Sequence, residues 1–447
     1  MSSSTASSGG TSVSLGKQLF SMTWPMLFGI LSLMSFQLVD SAFIGQLGVL
    51  PLAAQGFTLP IQMLVIGLQV GLGIATTAII SRALGAAKAE YAKQLGGLVL
   101  ALGSVGMAFF CVLIWLLRQP ILTLLSAPDS VFPVIDAYWP HFLLSAWVGA
   151  LLYFYYSLCR SNGNTMLPGI MMIVTSVLNV ILDPIFIFIF DLGLNGAAMA
   201  TTVSFGMGAL IVAPQVARKH WVTFDWHDIN VAKSLASIGH IMGPAMISQL
   251  LPSVSSVLAT KLIAGFGTAA VASWALGSRF EFFSIVAVLA LTMSMPPMVG
   301  RLLGAGKIGD IRYVVSLACR FVLVFQLLVA VATFVASAPL SRLMTSDAAV
   351  TNILHWHLMI VPVSLGSLGI CMLMVSVCNA LGKSYAALTI SALRLFLFFL
   401  PCLWIGSEIA GLNGLFVGVL IGNLLAGWCA WRMYLRTLVK VELMVGV

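Results

Sequence analysis

Apolar runs separated by short polar breaks recur along the whole chain. A membrane helix needs roughly 20 mostly apolar residues. Twelve stretches meet that test: 18–44, 53–80, 94–117, 136–158, 166–190, 194–217, 238–264, 275–299, 314–336, 353–378, 386–406 and 412–435. The runs are continuous, unlike the weak period-two pattern of a membrane β-barrel. One long polar connection interrupts them at 218–237, with Arg218, Lys219, Asp225 and Asp228. The pattern predicts an all-α integral membrane protein of twelve transmembrane helices. It predicts a six-helix bundle over 15–217, a cytoplasmic linker over 218–237 and a second six-helix bundle over 238–437. Residues 1–14 hold seven serines and no charge, which reads as a disordered tail and not a signal peptide. Residues 438–447 read as a short C-terminal tail.

Composition supports the class. Of 447 residues, 60% are hydrophobic and 8% charged, against about 25% charged in soluble domains. Mean hydropathy is +1.08. These values exclude a soluble globule, a disordered chain and a single-pass receptor. The formal net charge is +8, and the positions of the charges account for it without a nucleic-acid partner. With even-numbered loops and both termini on one side, 16 of the 21 Lys and Arg fall there, whereas the opposite loops hold Arg118 and Arg342. Lys261, Arg279 and Arg394 lie within spans. By the positive-inside rule both termini are cytoplasmic. The seven cysteines form no CxxC pair, so no metal site is expected.

The two halves repeat. The offset that carries Arg82 onto Arg301 places RALGAAK at 82–88 on RLLGAGK at 301–307. The same offset places Pro25 on Pro244, Gly48 on Gly267, Ser157 on Ser376, Cys159 on Cys378 and Gly163 on Gly382. One gap later, Gly193-Leu194-Asn195-Gly196 falls on Gly411-Leu412-Asn413-Gly414. Six spans separate equivalent helices, so both copies point the same way. Parallel repeats of this kind are expected to enclose a substrate cavity and to alternate its access by rocking.

The acids break the symmetry. Asp40 lies in span 1 and its repeat partner is Ala259; Asp183 lies in span 5 and its partner region, Leu400-Pro401, has no acid. An Asp at mid-membrane costs roughly 2.5–3.5 kcal/mol on insertion scales, which makes it a functional candidate. Capping a kink or pairing with a neighbour is the plainer alternative. Asn179 is one turn before Asp183 and shares its face. Gln37 is one turn before Asp40, Asn195 sits in the turn before span 6, and Thr201 and Thr202 lie just inside that span. Pro184 donates no backbone hydrogen bond and so frees the carbonyl of Val180. Such oxygens suit a hard cation, and two neighbouring acids equally suit a shared proton. Pro25, about four turns before Asp40 on the same helix, allows span 1 to bend. Flexible Met and aromatic residues such as Met172 and Tyr138 suit the lining of a drug-sized cavity.

At these residues the chain resembles the multidrug and toxic compound extrusion (MATE) family over nearly its full length. The resemblance rests on the twelve spans and the two parallel halves. Its most specific elements are Asp40 with Asn179 and Asp183, then Thr201, Tyr138 and Pro25. It implies efflux of mostly cationic, amphipathic compounds driven by inward H⁺ or Na⁺, from a bacterial-type inner membrane. One branch of the family carries acids on spans 7 and 10. Here span 7 offers Gln249, Ser255, Ser256 and Lys261, and span 10 has no acid. The chain therefore looks more like the DinF-type branch, with H⁺ favoured over Na⁺.

Other polar residues have plainer readings. Arg279 and Glu281 are expected to form an ion pair or to snorkel, with a gate as the alternative. His355 and His357 flank Trp356 and read as an interfacial anchor. Arg394 has no nearby acid in sequence. Gly382-Lys383-Ser384 resembles the end of a phosphate loop, but Val377 stands where the first glycine is required. No cofactor and no enzyme activity are expected. A lipid or lipid-linked oligosaccharide flippase is the alternative function. The expected partners are small-molecule drugs or toxins and membrane lipids, with the protein acting as a monomer.

Overall fold

The computed structural model describes residues 8–445, with side chains from 15 to 444. No water reaches backbone groups inside a bilayer, so a spanning chain must satisfy them within each segment. Accordingly, no β-strand occurs among the described residues, and eleven helical segments are long and apolar enough to cross a membrane.

The chain forms two compact units, one spanning Trp24–Met246 and one combining the chain up to Thr23 with the chain from Ile247 onward. The first contains most of α1 (Ser8–Gly45), then α2 (Val49–Gly85), α3 (Ala89–Leu116), a short α4 (Arg118–Leu124), α5 (Phe132–Ser161), α6 (Met166–Pro184) and α7 (Gly193–Arg218). It ends in the first half of α8 (Val231–Ala264). Helix α5 is central: it packs against α2, α3 and α7, and buries Trp139, Phe154 and Leu158 completely. The polar connection after α7 docks within this unit. The Thr223 N–H donates to the Lys93 carbonyl at 3.1 Å, and Gly96 and Gly97 leave room for the backbone of Trp221 and Thr223.

The second unit contains the rest of α8, then α9 (Thr268–Ser284), α10 (Val286–Gly304), α11 (Ile308–Met344), α12 (Ala348–Ile360), α13 (Leu365–Ala380), α14 (Ser384–Ala392) and α15 (Leu400–Val445). Its core is built around α13, where Cys371, Leu373, Met374, Val377 and Cys378 are fully buried. Both unit boundaries lie inside helices, close to Pro25 in α1 and Pro244 in α8.

Three expectations need correction. Span 275–299 is two helices, because the backbone turns out of helical geometry at Ile285 (φ −91°, ψ 9°). Gln326 donates to the Ser284 carbonyl at 3.0 Å and so satisfies an acceptor at the break. Spans 11 and 12 join in a 61-residue segment, Ser384–Met444. This segment reverses at Ala410 (φ −140°) and Gly411 (φ 58°). Gly406 lies against Gly414, Gly418 against Cys402 and Gly422 against Phe398, a pairing that only antiparallel helices make. The eleven segments therefore supply twelve crossings. Finally, the tails are helical where described, from Ser8 and to Val445; residues 1–7 and 446–447 lie outside the described residues. Packing explains the order at the C-terminal end: Leu438 and Val441 enter the core, and Arg312 pairs with Glu442 at 2.6 Å.

The repeat extends to backbone geometry. Gly48 and Gly267, which the repeat superposes, have φ of 102° and 101°. Gly193 and Gly411, superposed after the gap, have φ of 53° and 58°. L-residues with a Cβ rarely adopt these conformations.

The close helix pair makes a stability prediction. A Cβ on Gly418 would lie 2.8 Å from the Cys402 carbonyl carbon. We expect Gly418→Ala to cost about 1–3 kcal/mol through overpacking, read as a lowered Tm of the purified protein. Gly106→Ala, which meets nothing within 4 Å, should be neutral or stabilising, since alanine favours a helix interior. Equal Tm values for the two variants would contradict the packing account.

Candidate functional site

The first unit brings α1 and α6 together as parallel helices in a constant register. Gly169 has no side chain and lies against the Pro25 backbone; a Cβ there would fall 2.6 Å from the Pro25 carbonyl carbon. One turn on, Gly29 lies against Met172. Further along, the Asp40 and Asp183 carboxyl groups face each other within interaction range. The sequence separation of the three pairs is constant to within a single position, so the contact at Pro25 sets the register that joins the two acids.

Pro184 closes α6 directly after Asp183. It lacks the N–H that the Val180 carbonyl would accept from. The chain continues as a π-helical turn, Ile185–Ile189, a distortion that recurs at functional sites. Gly196 lets the start of α7 approach the Phe186 backbone, and this places Thr201 opposite Asn179.

Asp183 and Asn179 are both 0% exposed. The Asn179 amide lies between Asp183 and Thr201: its NH₂ donates to Asp183 Oδ2 at 2.8 Å, and its oxygen accepts from the Thr201 N–H at 3.3 Å and faces Thr201 Oγ1 at 3.1 Å. The Thr201 hydroxyl donates to the Ala197 carbonyl at 3.0 Å. The amide thus bonds the buried acid on one side and α7 on the other.

Asp40 is half-buried, and its Oδ1 is sealed from solvent with no hydrogen-bond partner. Ionised carboxyl groups only accept hydrogen bonds. Two of them therefore come together only around a proton or a cation. Tyr138, 6% exposed and stacked on Phe142 at 5.8 Å, borders Asp40 and Thr58. The site thus unites Asp40, Asn179, Asp183, Thr201 and Tyr138, all within one unit. Thr58 on α2 is an addition that sequence reasoning missed.

Four other expected residues lie outside this cluster or play different parts. Gln37 is exposed on α1. Thr202 Oγ1 donates to the Ala198 carbonyl of its own helix at 2.8 Å. Asn195 is half-buried in the first turn of α7 and not in a turn before it. Met172 is 2% exposed and seals the α1–α6 contact, so it packs instead of lining a cavity. Arg394 lies in a π-helical turn, Leu393–Phe399, half-buried, with its Nε unpartnered.

Of the readings open for Arg279 and Glu281, an ion pair between the two is not what the structure shows. Residues two apart on a helix point to different sides, and Glu281 instead meets His357, Oε1 to Nε2, at 2.6 Å. His357 is fully buried and is not an interfacial anchor. The repeat offset, which places His357 on Tyr138, is the signal that could have found it.

Comparison with known proteins gives a consistent picture. The sequence model of the MatE family matches residues 25–185 and 244–405, two matches whose starts, Pro25 and Pro244, are the positions that the repeat superposes. The chain is 30% identical to the FAD transporter of Shewanella oneidensis over 95% of both chains. It is 28% identical to the multidrug export protein MepA of Staphylococcus saprophyticus over 98% of both. Its fold matches the crystal structure of the Vibrio cholerae MATE transporter VcmN in the bent form, with a TM-score of 0.95 and 67% identity, over 97% of this chain and 99% of that one.

The amide bridge is testable by a double-mutant cycle on thermal unfolding of the purified protein. Asn179→Ala leaves the buried Asp183 acceptor unpaired and should cost about 1–3 kcal/mol. Combined with Asp183→Leu, which removes that acceptor, the loss from Asn179→Ala should shrink by more than about 0.5 kcal/mol. Additive losses would show that the two side chains do not bond.

Proposed function

The chain belongs to the MatE family of membrane transporters, and from that premise we propose that it is a secondary active exporter of drugs and toxins. It moves amphipathic, mostly cationic compounds out of the cytoplasm by alternating access, in exchange for inward H⁺. The observation that carries this reading is the meeting of Asp40 and Asp183 inside one unit, with Asn179 and Thr201 completing the bonding of the buried acid. A proton fits between two carboxyl groups with no further ligand, whereas a metal cation calls for a fuller oxygen shell. That difference favours H⁺ over Na⁺.

In the proposed cycle a proton enters from outside and binds the Asp40–Asp183 pair. The pair loses charge as Asp183 changes from an acceptor to a donor. Pro25 and Gly169 hold the far end of α1 against α6, so the change at Asp40 acts on a helix anchored about four turns away. The protein sits in a cytoplasmic (inner) membrane with both termini inside, a topology supported by the 16-to-2 split of basic residues.

A second substrate reading rests on one observation, the likeness to a relative named as an FAD transporter. FAD is anionic and would place opposite demands on the cavity. Proteoliposomes decide between them. We expect a fluorescent cationic dye to be exported under a pH gradient alone. Asp40→Asn and Asp183→Asn should each reduce export to the protein-free background at equal protein content. Movement of FAD in place of the dye reassigns the substrate, and movement only under a Na⁺ gradient reassigns the ion. Full export in both variants would falsify the coupling assignment.

A further inference from the structure

The second unit holds a pair of ionisable groups that the mechanism above does not use. Glu281 on α9 and His357 on α12 meet at 2.6 Å; the His357 side chain is 0% exposed and that of Glu281 is 21% exposed. The imidazole is caged. Trp274 and Phe416 stand edge-on to it at 5.4 and 5.0 Å. Gly277 lies beneath it, and a Cβ there would fall 2.6 Å from ring carbons Cδ2 and Cε1. The second ring nitrogen, Nδ1, is buried and has no partner. A histidine that anchors a helix at the membrane surface turns its polar atoms toward headgroups. This one turns them inward.

Its place in the repeat gives the pair meaning. The repeat offset puts His357 on Tyr138, Gly277 on Thr58 and Glu281 on Gln62. In the first unit Tyr138 borders Thr58 and Asp40. In the second, His357 borders Gly277. The same two positions touch in both units. The counterpart of Asp40 is Ala259, which is 0% exposed in an apolar cluster with Val361, Leu403 and Phe416. The second unit thus lacks the acid on the α1-like wall, and carries its ionisable groups on the facing helices instead.

We propose that Glu281 and His357 form a second proton-binding site, which takes up and releases one proton as a unit. With a single proton between Nε2 and Oε1, the pair carries one negative charge. A second proton, on Nδ1 or on the carboxyl group, makes the pair neutral overall and requires no other co-reactant. Glu281, the partly exposed member, is the point of entry. The packed elements carry other charged groups. Helix α9 carries Arg279, on a different side from Glu281. In this unit α8 carries Lys261, which is exposed. Helix α12 carries His355, which contacts Trp356. Helix α11 carries Asp310, Arg312, Arg320 and Arg342, and α15 carries Glu408, Arg432, Arg436, Lys440 and Glu442. Among the described residues none of these forms an ion pair with Glu281 or His357.

The proposal adds to the exporter reading, but its test needs neither substrate nor gradient. Infrared difference spectra of the purified full-length protein in lipid, stepped between about pH 5 and 8, report carboxyl and imidazole protonation directly. We expect a coupled imidazole and carboxyl feature in the wild type. It should be lost in His357→Gln and in Glu281→Gln, and kept in Asp40→Asn. Gly277→Ala, which keeps both groups but displaces the ring, should also lose it. Monodispersity and Tm check each fold; if His357→Gln misfolds, the more exposed Glu281→Gln decides. Spectra that match the wild type in the folded Glu281 and His357 variants would overturn the proposal. Failure of proton-driven export would leave these spectra, and this site, unaffected.

Discussion

A carboxyl group with no solvent exposure, set in the last turn of a membrane helix, constrains everything around it. Asp183 needs a bonding partner in each of its charge states. Asn179, one turn away, supplies the donor that bonds it. Thr201 completes the chain on α7. Asp40 arrives from α1 only because Pro25 and Gly169 hold α1 and α6 in a fixed register. The proline after Asp183 and the π-helical turn beyond it belong to the same arrangement, since they interrupt regular α-helical bonding directly after the acid.

The duplicated fold carries unequal chemistry. The turns with positive φ at Gly48 and Gly267, and at Gly193 and Gly411, show that the two units share a backbone plan. Their polar interiors differ. The first unit places two acids on neighbouring parallel helices. The second has Ala259 and an apolar cluster at the corresponding wall, and pairs Glu281 with His357 on facing helices. Divergence of this kind lets one copy of a repeat change its ion chemistry while the other keeps the packing.

Much of this was legible in the residues. Continuous apolar runs located the helices, because a bilayer leaves the backbone few other options. The spacing of Asn179 and Asp183 placed them on one face, and the Gly-Leu-Asn-Gly pair marked two turns. Features that depend on packing between distant segments were not legible. The break at Ile285 is satisfied by Gln326 from another helix. The helical run beyond residue 437 is held by core contacts of Leu438 and Val441 and an ion pair at Glu442 that no local pattern encodes. Met172 is as suited to a cavity wall as to a seam, and only Gly29 opposite it decides. Sequence leaves Glu281 open between an ion pair and snorkelling, whereas the tertiary fold gives it His357.

The central claim is that Asp40 and Asp183 hold a proton that substrate binding displaces. The direct measurement is the pH change when a cationic dye is added to purified protein in weakly buffered solution. The account predicts that the wild type releases protons in proportion to bound dye and that Asp40→Asn binds dye with no release. Dye binding without proton release in the wild type, or equal release from Asp40→Asn, would contradict it.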